Sequence, residues 1–338
     1  MVWRFKFIIR IYKSTERLEV KFLINNDKIK RSIIENVVVI SIMVLYIVYG
    51  IHYVPLLMLL TPLPFIVIGV RNGIANNIIS IAITSLIVGV LLGTPSGVSL
   101  LLIFAPLSLA LNYCIKKRKS TSETILVTTG AFFLSIVVII SLESQTLDLI
   151  KLSEQTFTQM LTIQIDMFKE VGMTNYELLQ TESLLEGAYK YIIIIIPSLL
   201  AIFSLMVSYI NNVFASLVLR KMGYGIVNYP RFSKFRLPSN IIPGIGVMFI
   251  SAFIIAKLEI PYHEALLLNI TFLVGFIFFV QGLAVLDFLL KKAKIKKIFR
   301  IMILTLNIIL VPMSGIIFFI GVLDAIFDMR KIRKQKSL

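Results

Sequence analysis

Glu143–Tyr189 reads ESQTLDLIKLSEQTFTQMLTIQIDMFKEVGMTNYELLQTESLLEGAY. It carries eight acids (Glu143, Asp148, Glu154, Asp166, Glu170, Glu177, Glu182, Glu186) against two lysines, Lys151 and Lys169. The apolar runs on either side are long enough to cross a bilayer, and every other sizeable loop is basic. An acidic loop among basic ones marks the outer face and divides the membrane spans into two groups. Phe157, Leu161, Ile165 and Phe168 recur at helical spacing and predict one amphipathic helix. Gly172 as a C-cap and a Thr174-x-x-Glu177 capping box predict a second.

The rest of the composition agrees. Of 338 residues, 58% are hydrophobic and 15% charged, with a mean hydropathy of +0.92; soluble domains carry about a quarter charged residues. Backbone in lipid must satisfy its own hydrogen bonds, so runs of about 20 apolar residues are helices. The two-residue alternation of an outer-membrane barrel is absent. The fold class is therefore an all-α, polytopic integral membrane protein, with about eight to ten membrane helices expected. A net charge of +16 would suggest nucleic acid in a soluble protein. Here the cations sit in short loops between spans, so orientation in the membrane accounts for them and no nucleic-acid partner is expected. Cys114 is the single cysteine, which excludes an intrachain disulfide and a cysteine-cluster metal site. No cleavable signal pattern is present, so the first apolar run reads as an uncleaved span.

Five regions follow. Residues 1–32 form a basic leader, with aromatic and aliphatic side chains between cations, suited to an anionic leaflet. Residues 33–142 hold five spans. The second, about Val54–Val70, contains Pro55, Pro62 and Pro64, which break a helix and free carbonyls; Thr61-Pro62-Leu63-Pro64 is a candidate cavity lining, with a packing kink as the alternative. Residues 143–189 are the acidic outer helices. Residues 190–328 hold the later spans, the sixth expected over about Tyr191–Leu219, and a cytoplasmic loop at 220–240. The last apolar run, Ile298–Phe327, is flanked by cations on both sides and has Pro312 and Gly315 at its centre, which predicts a hairpin of two short helices. Residues 329–338 are a basic tail. This arrangement puts both termini in the cytoplasm and only Lys151, Lys169, Lys190 and Lys257 outside.

Chemistry-bearing patterns are few. There is no phosphate loop of the G-x-x-x-x-G-K-[ST] kind, no H-E-x-x-H and no G-x-S-x-G elbow. No enzyme activity, cofactor or metal is expected. His52 and His263 are read as interfacial rather than as ligands. Ionisable groups inside spans are functional candidates by default. Asp287 lies one turn before Lys291, which predicts a salt bridge. Asp324 and Asp328 share a helix face at i and i+4, able to hold a proton or cation, although a network with Arg220, Arg231 or Arg236 accounts for them better. Asn76, Asn77, Asn211, Asn212, Asn269, Gln281 and Asn307 either line a polar path or join helices by hydrogen bonds.

Three stretches carry a family resemblance. They are Tyr229-Pro230-Arg231-Phe232-Ser233-Lys234-Phe235-Arg236-Leu237-Pro238, then Gln281-Gly282-Leu283-Ala284-Val285, then Gly321-Val322-Leu323-Asp324-Ala325-Ile326-Phe327-Asp328-Met329-Arg330. With Pro62-Leu63-Pro64 they resemble the YybS-like family of bacterial membrane proteins over about residues 33–333. Phe235 stands where that pattern has tryptophan, and Met329 where it has phenylalanine. The first spans are similar to substrate-binding membrane subunits of energy-coupling-factor transporters, which bind small molecules and borrow ATPases from partner chains. The resemblance implies a multi-pass protein of a bacterial cytoplasmic membrane that binds a small-molecule ligand and docks on a transmembrane coupling subunit with ATPases. The alanine docking motif expected on the first span is absent from Ile33–Gly50. The alternative is a scaffold or regulator recruiting partners through its basic inner loops. Candidate functional residues are Pro62, Pro64, Arg231, Arg236, Pro238, Asn269, Gln281, Asp287, Asp324, Asp328 and Arg330.

Overall fold

A computed structural model describes residues 29–143, 149–225, 232–237, 241–310 and 315–331. Arg231 and Pro238 lie outside these, as do Pro312, the leader before residue 29 and the tail after residue 331. Every regular element among the described residues is helical. We number them α1 (Ile29–Tyr53), α2 (Pro62–Asn72), α3 (Ile74–Leu92), α4 (Thr94–Lys116), α5 (Thr121–Glu143), α6 (Leu149–Glu170), α7 (Asn175–Lys221), α8 (Ile241–Lys257), α9 (His263–Lys292), α10 (Lys297–Leu310) and α11 (Gly315–Phe327). Seven segments among them are long and apolar enough to cross a membrane: α1, Pro55–Asn72, α3, α4, α5, α7 and α9. The helices α8 and α11 are apolar but shorter. Many large apolar side chains are exposed, among them Leu86, Val90, Leu126 and Phe253. Lipid is the solvent these faces require.

Two compact units divide the chain. The first holds the described residues up to Leu142 and those from Ser204 to Val227; the second holds the remainder. In the first unit, α1 carries a π-helical turn at Tyr46–Gly50 and ends at Val54. A 3-10 turn, Pro55–Leu60, follows, and Pro62 opens α2 at a position where its missing N–H costs nothing. Gly73 (φ 104°) and Gly93 (φ 99°) make the two sharp turns around α3, in a region of backbone space that side chains rarely allow. Helices α3 and α4 meet closely, with Ser85 Oγ donating to the Gly97 carbonyl at 2.5 Å. Phe65, Ile81, Leu107, Phe132 and Val207 share one core; Ile66, Leu111, Ala215 and Leu219 form another.

In the second unit the two acidic helices form as expected. Gly172 (φ 90°) closes α6, with the Met173 N–H donating to the Phe168 carbonyl. The capping box opens α7: Thr174 N–H and hydroxyl donate to Glu177 Oε2, each at 2.8 Å. The separate sixth span is corrected, however. Acidic helix and span are one 47-residue helix, because no breaker interrupts 175–196 and Gly187 stays helical. At 1.5 Å per residue it is about 70 Å long, more than twice the hydrocarbon thickness. The final apolar run is two helices, α10 and α11, as the central Pro312 and Gly315 suggested. Helix α11 crosses α9 at Gly282 and Gly321. A side chain at Gly282 would strike the Ile317 carbonyl, and one at Gly321 the Phe278 carbonyl.

Candidate functional site

Most of the predicted polar residues are joints whose hydrogen bonds are made within the protein. Pro197 interrupts α7, and the Asn269 side chain is inserted there. Its Oδ1 accepts the Ser198 N–H at 3.0 Å and its Nδ2 donates to the Ile194 carbonyl at 2.8 Å. One amide thus answers both the Ser198 N–H and the Ile194 carbonyl beside the proline, where the helix lacks a donor. In the first unit, Asn211 Nδ2 reaches the Leu59 carbonyl at 2.7 Å, at the end of the 3-10 turn before Pro62. Thr61 and Pro62 are buried, and Pro64 is half-buried in the first turn of α2. The Thr61–Pro64 run is packed at the turn into α2. Asn77 and Ser108 bond reciprocally between α3 and α4, while Asn36 links to Asn76 and Ser80 between α1 and α3. Glu35 is held by Arg71 at 2.6 Å and by Arg31 at 3.1 Å.

The second unit contains an ionic clasp built from the three motif stretches. Arg330 Nε and Nη2 donate to Asp324 Oδ2 at 3.1 and 2.8 Å, with both side chains only 1% exposed. Arg330 also donates to the Ser233 and Phe235 carbonyls, at 3.0 and 2.7 Å. Gln281 Nε2 donates to Asp324 Oδ2 at 2.6 Å, and its Oε1 accepts the Leu237 N–H at 3.2 Å. The clasp therefore fastens residues 232–237, including half-buried Arg236, onto α9 and α11. Helix α11 ends at Phe327, and Asp328 follows it in the left-handed region (φ 49°), its N–H donating to the Asp324 carbonyl at 3.0 Å. Asp324 is buried and Asp328 half-buried, and Arg330 pairs with Asp324; Arg231, one of the arginines expected there, lies outside the described residues. The Asp287–Lys291 bridge is corrected. Asp287 pairs with Arg300 at 2.6 Å, which ties the end of α9 to the start of α10. Among the described residues no group of three His, Cys, Asp or Glu side chains could hold a metal.

One polar face is different. Along the C-terminal half of α7, Ser208, Asn211, Asn212 and Ser216 recur at i, i+3, i+4 and i+8 and are each at most 2% exposed. Among the described residues, Ser208 Oγ, Asn211 Oδ1, Asn212 Nδ2 and Ser216 Oγ have no hydrogen-bond partner, nor does Asn112 Oδ1 on α4. Asn112 abuts Gly69 of α2, and α2, α4 and α7 meet around Ile66, Leu111 and Ala215. Buried polar atoms are ordinarily paired, so a row of unanswered ones is the exception in this unit. Every buried polar side chain of the first unit is uncharged; the buried ions, Asp287, Asp324 and Arg330, are all in the second. Sequence reading found Asn211 and Asn212 but missed Ser208 and Ser216. Their helical spacing inside an apolar run was the available signal.

Fold and buried polar architecture define an all-helical, multi-pass membrane protein. A family described as "Predicted membrane protein (DUF2232)" matches residues 36–325, and the chain belongs to that family. It is similar to the "Uncharacterized protein YybS" of Bacillus subtilis (strain 168), with 25% identity over 307 residues, covering 89% of this chain and 97% of the relative. No solved structure matches.

Proposed function

We propose that the protein is a transporter-like, small-molecule-binding membrane subunit without an ATPase of its own, placed in a bacterial cytoplasmic membrane. The row of unanswered polar atoms on α7 carries this reading. Such a row costs stability while unpaired, and it is repaid when a polar solute supplies donors and acceptors. The reading has the acidic helices outside, the basic loops inside and no catalytic role. A transmembrane coupling subunit with ATPases would be its partner.

The test is a thermal-shift screen of purified protein against vitamin-like and other polar solutes. A ligand at 100 times its dissociation constant should add about 2.7 kcal/mol of stability. Replacing Asn212 and Ser216 with valine and alanine should abolish that gain while leaving the unliganded protein folded. A ligand whose gain survives in this variant would overturn the assignment of the site. A screen with no stabilising solute, together with purification from native membranes that yields no coupling subunit or ATPase, would overturn the function.

The scaffold reading has one observation in its favour. The clasp holds residues 232–237 in a fixed conformation with Lys234 exposed, as a recruiting surface requires. A different stable partner, released by breaking the clasp, would support it.

A further inference from the structure

Helix α6 and the first turns of α7 enclose a groove of about 560 Å³ in the second unit. Its floor is apolar: Phe157, Leu161, Ile165 and Leu178 line it, with Leu178 buried and the other three half-buried. Its rim is acidic. Glu182 and Glu186 stand at i and i+4 on the same face of α7, Glu182 half-buried and Glu186 exposed. Like charges at that spacing repel. The third rim carboxylate, Asp166, is already met by Lys169 at 3.0 Å. Neither Glu182 nor Glu186 makes a salt bridge with any described residue.

We propose that this groove binds a small organic cation with an apolar body, an aliphatic or aromatic ammonium compound. The ammonium group lies between the Glu182 and Glu186 carboxylates, and the apolar part rests on Phe157, Leu161 and Leu178. Three features select this ligand class. The volume falls within the roughly 300–1,000 Å³ of small-molecule sites. Thr158, Thr162 and Asn175 also line the groove, and its apolar floor favours a ligand with an apolar body over a bare hydrated ion. The surrounding segment, with eight acids against two lysines, raises the local concentration of cations and repels anions.

The experiment is titration of the full-length protein in neutral detergent with benzyltrimethylammonium, its neutral isostere neopentylbenzene and the anion benzenesulfonate. Binding is read from ligand NMR line broadening and from isotope-filtered contacts to α6. The cation should bind saturably and at least tenfold more tightly than either comparator. E182Q/E186Q should weaken it at least tenfold, whereas E154Q/E170Q, which removes the same charge outside the groove, should not. L161N should weaken it as well, and circular dichroism confirms that each variant keeps its helix content. Equal affinity for the cation and the neutral isostere would overturn the proposal. So would equal losses in the two double variants, or no saturable binding at millimolar cation.

Discussion

Arg330 and Asp324 show how a single buried pair is used. Removing two charges from solvent costs several kcal/mol, recovered only when every hydrogen bond is made. Here the Asp324 carboxylate accepts from the Arg330 backbone and side chain and from Gln281, and the guanidinium reaches two carbonyls beyond it. R330M should therefore destabilise the protein by about 3–5 kcal/mol, because it strands a buried carboxylate. The double variant R330M/D324L should lose less than the single one. Thermal unfolding in detergent checks both; equal or greater loss in the double variant would show that the ions are not held as a pair. Asn269 and Asn211 act on the same scale, each answering a carbonyl at a proline-disturbed place in another segment.

At the scale of elements, the capping box at the start of α7 titrates. The Thr174 backbone N–H, and after it the Thr174 hydroxyl, hold the Glu177 carboxyl below its ordinary value. A carboxyl depressed in the folded state contributes stability that is complete above the unfolded value, near 4.3. That contribution is lost as pH falls through the lower folded value. The first turn of α7 should therefore loosen only in acid, seen as faster amide hydrogen exchange at Leu178 and Leu179. E177Q should remove this pH dependence. The element also shows why its length was misjudged. The acidic N-terminal residues and the apolar span differ in composition, and composition suggested a boundary. Helix continuity depends on backbone breakers, and 175–196 has none.

At the scale of the molecule, topology is the decisive quantity. On the proposed orientation, with the acidic segment outside, the final run returns to the inner side, and the split into α10 and α11 provides the means. A cytoplasm-only reporter fused to the C-terminus should be active, and one that works only outside should be silent. The reverse pattern would mean that α10 and α11 make a single crossing. Hydropathy, charge and breakers by themselves determined the all-helical membrane class, the acidic helical pair, the broken second span and the divided last run. These are local properties, set by how each segment partitions between water and lipid. The motif residues Gln281, Asp324 and Arg330 were legible as polar exceptions in apolar runs, but their partners were not. That Arg330 answers Asp324, that Arg300 rather than Lys291 answers Asp287, and that Asn269 bonds α7 beside Pro197 depend on which helices meet. Only the tertiary structure decided these, because a hydrogen bond between residues 71 or 95 positions apart is fixed by packing and leaves no period in the sequence. The same holds for α7: its serines and asparagines could be read, but that their polar atoms stay buried and unanswered is a property of the folded neighbours around them.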